Sequence, residues 1–237
     1  MAQYFVLHPE QPQPRLIRQA AEIMRSGGLV AFPTDSAYAL GGLTGDASVL
    51  LRIRKIRGVD ERHHFTLMCR DLSEIATYAR VDNMQYRLLK ATTPGPYTFI
   101  LEGTKELPRR VLHPKRKTIG LRVPDHPVVA ALLAELDEPI LTSTLLLPGE
   151  DLPLTDAEEI RDRMEKQVEL VIEAGFCGPE VTTIIDLTSG VPVLVRAGKG
   201  DPSPFGLEAW CPITPTHAFT HRTALRNPDF ACRRARR

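Results

Sequence analysis

Apolar residues recur with a helical period in several stretches of the chain. Over residues 14–26 they form one stripe, and the glycines at 27 and 28 mark its end. Similar stripes predict helices over 47–56 and 128–136, and Asp71 and Asp82 are typical caps of two further helices. Thr155, with Glu158 three residues later, predicts the start of a charged helix that runs to about Lys166.

Short apolar runs bounded by proline, glycine or polar residues lie between these helices and predict strands. The runs are 29–32, 65–69, 97–101, 118–123, 139–144, 168–172, 182–187 and 192–196. Strands and helices alternate with short connections, which favours a sheet with helices on its faces. The predicted fold class is therefore α/β, with a twisted, open, mixed sheet.

Residues 8–205 carry this pattern and are predicted to form one domain. After Phe205 the periodicity is lost, and the chain ends in RRARR. We therefore expect residues 206–237 to form a flexible C-terminal tail. A basic end of this kind is usually solvated, although contact with RNA is an open alternative.

Composition narrows the classes of protein. The chain has 237 residues, 43% of them hydrophobic and 25% charged, with a formal net charge of +1. These are ordinary globular values, so any contact with nucleic acid must come from local clusters of charge. The four cysteines form no CxxC pair, which argues against a zinc site or a disulfide framework. With no secretory signal and no long apolar run, we expect a cytoplasmic protein without a membrane partner.

Polar residues follow the strand over 29–32 in the motif FPTDSAYALGG. Ligands of α/β sheets bind where strand ends meet loops, so Thr34, Asp35, Ser36 and Tyr38 are candidates for orienting a small polar substrate. A turn with a helix cap uses the same residue types. The sequence leaves both interpretations open.

Lys55 and Arg57 lie at the predicted end of a helix, where Gly58 would terminate it, and His63 and His64 follow. Positions two apart do not share a helix face, so both cations can meet one ligand only at a helix–loop junction. Two cations there suit a polyphosphate. Spacing alone favours solvated surface charge.

Six cations occupy the fourteen positions from Arg109 to Arg122, which is the strongest basic cluster before the tail. It suits phosphates of ATP or of RNA. Arg122 stands inside an apolar strand, where an unpaired charge is costly, so it needs an anionic partner in the protein or in a ligand. The pattern GxxxxGK[ST] is absent from the sequence, which excludes a Walker-type phosphate loop.

The order of these motifs resembles that of the YrdC/YciO family, also called the Sua-type domain. The succession is PTDSAYALGG, KIR, PGPYTFIL, TIGLRVP, TSTLLLPG, TTIIDLT and LVRAG, from about residue 8 to about residue 205. The segments RKTIGLRVP, FTLMCRDL, PGPYTFIL and TSTLLLPG look most like the YciO branch. The resemblance implies the YrdC-like fold, in which the sheet surrounds a concave, basic cavity.

The resemblance also implies an activity, the synthesis of threonylcarbamoyl-AMP from threonine, bicarbonate and ATP for modification of adenosine 37 of tRNA. Mg²⁺ would accompany ATP, no metal site on the protein is expected, and RNA or tRNA is a further partner. Thr34 and Tyr38 would contact threonine, and Lys55 and Arg57 would be catalytic. The nucleotide would be bound by Lys55, Arg57, His63, Arg122, Thr144, Thr182 and Arg196.

Two departures from the family pattern bear on this activity. His63 or His64 stands where the family has a lysine, and the family's SxN motif reads Thr144-Leu145-Leu146. Leucine neither donates nor accepts a hydrogen bond, so Leu146 would remove one contact to phosphate. Three hypotheses follow: a synthase of reduced rate, a module that binds RNA with little or no synthesis, or an enzyme for another carbamoyl or adenylate ligand.

Overall fold

The computed structural model describes residues 1–208, whose strands form one open ten-stranded sheet. Some neighbouring strands pair in parallel and others antiparallel, which confirms the predicted mixed sheet. In their order across the sheet, the strands are β1 (Gln3–Val6), β8 (Leu170–Glu173), β2 (Val30–Phe32), β3 (Ala39–Leu43), β7 (Ile140–Thr144), β4 (Thr66–Met68), β6 (Thr118–Arg122), β5 (Tyr97–Glu102), β9 (Thr183–Asp186) and β10 (Val193–Arg196).

Six α-helices of the described residues pack on the two faces of the sheet. They are α1 (Pro14–Arg25), α2 (Ala47–Arg57), α3 (Leu72–Tyr78), α4 (Asn83–Thr92), α5 (Pro127–Leu136) and α6 (Ala157–Met164). Alternate strand residues face two separate apolar clusters, as the two-residue period of a strand requires. One cluster joins the sheet to α2, α3, α4 and α6, and the other joins it to α1 and α5.

The α1/α5 cluster covers only part of its face. Its buried members come from β2, β3, β7, β4 and β8, and none comes from β6, β5 or β9. On β6, β5 and β9 most positions in register on that face carry small or polar residues, including Thr98, Thr118, Gly120 and Arg122, whereas Ile100 and Ile184 are apolar. Thr66 of β4 lies in register with Gly120 and continues this polar stretch. A polar stretch of sheet thus lies beyond the edge of this apolar cluster.

Two strands were not predicted from the sequence, β1 and β3. β3 has the sequence ALGGL and lies near the middle of the sheet with every residue buried. Glycine is a poor strand former, so the two glycines of β3 made this segment resemble a loop in the sequence. A Cβ atom on Gly41 would lie 2.7 Å from Phe32 Cε1 and 2.8 Å from Ile140 Cγ2, so this strand needs glycine for close packing.

The predicted helices and the other strands are confirmed within a few residues, with changes at two helix starts. Asp156, not Thr155, caps α6, because its Oδ1 accepts the Glu159 N–H at 2.7 Å. Asp71 caps α3 as expected, but the Glu74 carboxylate accepts from the N–H of Arg70 instead of Asp71. No helix of the described residues has the length and apolar character needed to cross a membrane.

Only the first three residues of the predicted tail, 206–208, are described. Phe205 is buried against Tyr97 and Phe99, and Leu207 packs against the same cluster. The ordered packing therefore extends slightly past the predicted boundary. Residues 209–237, with Trp210, Phe219 and the basic end, lie outside the described residues, and the prediction about them stays a prediction.

Candidate functional site

Loop 33–38, which follows β2, makes a long-range ion pair. Arg122, the last residue of β6, donates from Nη2 to Asp35 Oδ1, and the two side chains are only 5% and 9% exposed. β3, β7 and β4 lie between β2 and β6 in the sheet. In a flat sheet four steps of about 4.8 Å would hold these strands about 19 Å apart. Loop 33–38 and the long Arg122 side chain therefore bridge the three intervening strands.

The sequence predicted an anionic partner for Arg122, and the structure supplies one within the chain. Burial lowers the pKa of the Arg122 guanidinium, and the charge of Asp35 opposes that change. Asp35 also joins other segments: its Oδ2 accepts the N–H of Asp125 at 3.2 Å, and its carbonyl accepts Lys199 Nζ at 2.6 Å. Arg122 is thus a buried structural partner of Asp35 rather than an exposed nucleotide contact.

The two residues predicted to contact threonine occupy different environments. The Thr34 hydroxyl donates to the Ala37 carbonyl at 2.7 Å and accepts the Ser36 N–H at 3.1 Å, so it shapes the loop. Tyr38 is 1% exposed in the core, and its hydroxyl donates to the Ile172 carbonyl at 3.2 Å. The prediction that Tyr38 contacts substrate is therefore corrected, because its ring and hydroxyl are both used in packing.

A second group of polar residues surrounds the end of α2. Gly58 ends this helix in the left-handed conformation, with φ of 62°, as predicted. Arg57, one residue earlier, donates from Nε to Ser143 Oγ at 3.2 Å and from Nη1 to the Leu146 carbonyl. His63 Nε2 lies 3.4 Å from the same Ser143 hydroxyl. Arg57, Ser143 and His63 thus form one cluster.

Arg196, on the edge strand β10, adds a second guanidinium to this region. Its Nε and Nη2 donate to the Thr182 carbonyl at 3.2 and 3.0 Å, and Nη2 also reaches Thr182 Oγ1 at 3.2 Å. Thr182 Oγ1 lies 2.9 Å from Thr98 Oγ1 on the polar part of the sheet. Within residues 1–208 neither Arg57 nor Arg196 forms an ion pair with a carboxylate.

The electrostatics of this cluster favour an anion. Burial lowers the pKa of both guanidiniums, and the charge of Arg196 lowers the pKa of Arg57 further. Burial, followed by the charges of Arg57, His64 and Arg196, lowers the pKa of His63 to about 4. Asp60 raises the pKa of His63 slightly, as the smallest of these causes, but no described carboxylate forms an ion pair with either arginine. A bound anion would therefore stabilise the two partly desolvated cations.

Two other predicted site residues are not brought into this cluster by direct contacts. The Lys55 side chain is exposed and forms no hydrogen bond or ion pair with a described residue. Thr144 is half-buried, and the hydroxyl that contacts Arg57 belongs to Ser143 instead. The sequence analysis did not predict Ser143 as a site residue. Successive side chains along β7 point to opposite faces of the sheet, so Ser143 and Thr144 could not both face Arg57, and this alternation was the available signal.

The basic run over 109–122 does not form a single phosphate-binding surface. Arg110 donates to the carbonyls of Thr44 and Gly45, Arg116 lies 3.8 Å from Asp186, and Arg122 is buried. The exposed cations of the run whose side chains form neither an ion pair nor a hydrogen bond with described residues are Arg109, Lys115 and Lys117. The cluster seen in the sequence is therefore divided among three environments.

The loop TSTLLLPG gives its leucines different roles. Leu145 is fully buried in the core, whereas Leu146 is half-buried and presents its carbonyl to Arg57. Leu146 thus helps to hold the cation through its backbone. Within residues 1–208, no three His, Cys, Asp or Glu side chains come together as metal ligands.

Comparison with known proteins places the chain among its relatives. A family profile described as "Telomere recombination", which joins the names Sua5, YciO and YrdC, matches residues 22–198. The uncharacterized protein YciO of Escherichia coli K12 is 56% identical over 205 residues, which are 86% of this chain and all of YciO. The crystal structure of E. coli YciO matches the same share of each chain with a TM-score of 0.84.

More distant relatives carry an assigned activity. The threonylcarbamoyl-AMP synthase of Pyrococcus abyssi is 30% identical over 184 residues, which are 77% of this chain but only 54% of the synthase. The crystal structure of P. abyssi Sua5 in complex with L-threonine is 27% identical, with a TM-score of 0.76 over 82% of this chain and 57% of that one. The profile match, the fold and these relatives together show that the chain belongs to the Sua5/YciO/YrdC family.

Proposed function

We propose that this chain is a threonylcarbamoyl-AMP synthase of the Sua5/YciO/YrdC family, using threonine, bicarbonate and ATP. The observation that carries the proposal is the pair of half-buried guanidiniums, Arg57 and Arg196, without a carboxylate partner among the described residues. Desolvated cations of this kind suit a polyphosphate, because guanidinium binds phosphate oxygens in two-point contacts. The P. abyssi relative that is named for this activity supports the choice of reaction.

The reaction needs positioning and charge stabilisation more than acid–base groups. The amine of threonine attacks the carbon of CO₂, which forms when bicarbonate loses water, and the amine gives up a proton as the carbamate forms. A carbamate oxygen then attacks the α-phosphorus of ATP, the bond from that phosphorus to the oxygen that bridges to the β-phosphate breaks, and pyrophosphate leaves. Arg57 and Arg196 would stabilise the negative charge on the leaving pyrophosphate. Mg²⁺ would arrive with ATP as part of the substrate.

The uncharged side chains of His63 and Ser143 lie beside Arg57 and also have roles in the proposed function. His63 has a pKa of about 4, so at neutral pH it offers a neutral imidazole and adds no charge to the arginines. The Ser143 hydroxyl, shared by Arg57 and His63, would keep both side chains in place. Thr34, next to the Asp35–Arg122 pair, would lie on the threonine side, and Lys55 would reach the nucleotide from solvent.

A second candidate is a module that binds RNA and has little synthase activity. The exposed cations Arg109, Lys115 and Lys117 favour it, because ion pairs with described residues do not neutralise them. Phosphate contacts of this kind make binding strongly dependent on salt. Retention of tRNA that is lost at high salt, without any nucleotide product, would favour this function over the synthase.

Mass spectrometry of the nucleotide product tests the proposal. The wild type is expected to form threonylcarbamoyl-AMP only when threonine, bicarbonate and ATP are all present. Arg57→Ala and Arg196→Ala should each lose at least about tenfold in rate, since a hydrogen bond to a charged group contributes about 1.5–3 kcal/mol. Arg109→Ala, an exposed control, should keep the rate. Absence of product from the wild type, or equal rates in all variants, would contradict the proposal.

Leu146→Asn tests whether the missing amide of the SxN motif limits the rate. The side chain is half-buried and is not a member of either buried cluster, so the change should keep the fold. A gain of one hydrogen bond to phosphate, about 1–1.5 kcal/mol, corresponds to roughly tenfold in rate. Lower stability with no gain in rate would mean that Leu146 is structural.

A further inference from the structure

Arg54 is a half-buried arginine on α2 that the proposed function has not used. Its Nε atom is buried and has no hydrogen-bond partner among the described residues, and its guanidinium forms no ion pair with a described carboxylate. A buried donor without a partner raises the free energy of the folded state. An apolar side chain of similar length would fill the same space without that cost. The arginine at this position therefore needs a reason other than stability.

The guanidinium of Arg54 packs on an aromatic ring that also contacts the site. Its Cζ atom lies over the Phe65 ring, 5.6 Å from the ring centroid, which is the geometry of a cation–π contact. The same ring meets the His63 imidazole edge to face, with 5.3 Å between centroids and 87° between planes. Phe65 is 2% exposed and belongs to the core, so it is a fixed support. Phe65 therefore links Arg54 to the cluster that contains His63.

Arg54 also contacts both ends of the loop that carries His63. This loop, residues 58–65, joins α2 to β4. At its start the Val59 N–H donates to the Arg54 carbonyl at 3.1 Å, and at its end Phe65 lies under the Arg54 guanidinium. One residue thus holds the two ends of the loop together, and His63 lies between them.

We propose that Arg54 is a positioning residue of this site, which through Phe65 holds the His63 ring in place. The Ser143 hydroxyl that lies beside His63 is also the acceptor for Arg57 Nε, so the orientation of the imidazole affects this guanidinium. The effect on catalysis rests on the proposed function, in which Arg57 stabilises the leaving pyrophosphate. Arg54 itself contacts no substrate group.

A spectroscopic measurement tests the position of His63 without any need for activity. In protein with carbon-13-labelled histidine, the ring current of Phe65 should displace the His63 resonances from their random-coil positions, and the spectrum of His63→Gln identifies them. In Arg54→Met this displacement should shrink, because the Phe65 ring loses its support. Arg54→Lys should keep part of it, since an ammonium can also lie over an aromatic ring. Arg54→Gln gives the same test if Arg54→Met does not fold.

Arg62→Met is the matched control, because it is the same substitution within loop 58–65. The Arg62 side chain is exposed and forms no hydrogen bond or ion pair with a described residue. This variant should leave the His63 resonances and the rate unchanged.

Kinetics test the consequence for the reaction. Arg54→Met should lower kcat about tenfold with little change in the KM for ATP or threonine, because a small displacement of Arg57 weakens transition-state stabilisation more than substrate binding. In a His63→Gln background the same change should cost much less, since the residue through which Arg54 acts is already absent.

Four outcomes separate the alternatives. Unchanged His63 resonances in Arg54→Met would overturn the inference, and a lower Tm without that change would mean that Arg54 only stabilises the fold. Equal losses of kcat in the wild-type and His63→Gln backgrounds would overturn the link through His63. A rise in the KM for ATP alone would make Arg54 a direct phosphate contact and overturn the positioning role. A wild type that forms no adenylate would overturn the proposed function, whereas the spectra would still decide the position of His63.

Discussion

Arg122 and Asp35 illustrate how a charge is accommodated in an apolar strand. Both side chains are almost completely buried, and each supplies the charge that the other lacks. Arg122 Nε still has no hydrogen-bond partner among the described residues, so the pair is not fully satisfied. Removal of either partner would leave a buried charge alone, which costs more than the intact pair contributes.

We therefore expect Asp35→Asn to lower the free energy of unfolding by about 3–5 kcal/mol. The double variant Asp35→Leu, Arg122→Met should lose clearly less than the sum of the two single changes, because it leaves no unpaired charge. Urea denaturation of the wild type, Asp35→Leu, Arg122→Met and the double variant measures this coupling, and Asp35→Asn is measured beside them. Additive losses would show that the two side chains contribute independently.

His63 makes stability depend on pH. Its pKa falls from 6.5 to about 4 on folding, so the unfolded chain takes up this proton at a higher pH than the folded protein. The contribution of the neutral imidazole is complete above pH 6.5 and is lost as pH falls towards 4. His63→Gln should make the free energy of unfolding fall less steeply across this window. Identical slopes in urea titrations of both proteins would contradict this prediction.

At the scale of elements, the end of α2 and the loop after β7 are built against each other. The Leu146 carbonyl and the Ser143 hydroxyl both accept from Arg57, and a Cβ atom on Gly58 would lie 2.9 Å from Pro148 Cγ. Gly58 therefore serves two purposes, since it ends the helix with positive φ and leaves room for the loop. The position of Arg57 depends on this junction.

Gly58→Ala should destabilise the protein by about 1–2 kcal/mol from backbone strain, with a further loss from the contact with Pro148. Gly149→Ala is the matched control, because Gly149 also has positive φ, at 84°, but nothing within 4 Å of its Cβ position. The difference between the two variants measures the steric part. An equal loss of stability in both variants would mean that the loop with Pro148 moves away from the new methyl group at no cost in free energy.

At the scale of the whole molecule, the apolar cover of one sheet face is incomplete, and the strand order places polar groups in the part that it leaves open. Thr66 of β4, Thr98 of β5, and Thr118 and Gly120 of β6 stand where β2, β3, β7 and β8 supply core residues. The region near β9 is closed by Phe205, whose ring centroid lies 5.6 Å from that of Tyr97 and 5.8 Å from that of Phe99. The domain therefore needs the chain as far as Phe205.

A chain that ends after Glu208 is expected to keep its Tm within a few degrees, since it retains Phe205 and Leu207. A chain that ends after Pro202 loses the buried Phe205, at a cost of about 3 kcal/mol or roughly 6–12 °C in Tm. Calorimetry of both chains and the full length tests this. A large loss in the longer truncation would show that residues 209–237 stabilise the domain.

Periodicity and capping residues determine most of the elements from the sequence alone. Helix stripes and caps depend on neighbours three or four residues away, so Asp82 with Gln85, and Gly58 after Arg57, are readable in the chain itself. The order of motifs also predicted the family, and it placed Arg57, His63 and Arg196 among seven proposed nucleotide contacts, with Lys55, Arg122, Thr144 and Thr182. The strand β3 escaped because its glycines serve packing against Phe32 and Ile140, which lie elsewhere in the sequence.

Only the tertiary structure decided which charges meet. Arg122 forms an ion pair with Asp35 across three intervening strands. Arg57 forms a hydrogen bond with Ser143 and not with Thr144, and Lys199 donates to the Asp35 carbonyl. These contacts follow from the strand order and from the paths of the connecting loops, which arise from packing of the whole chain. A local sequence pattern is set by neighbouring residues, and it therefore contains no measure of the distance between residues that the fold brings together.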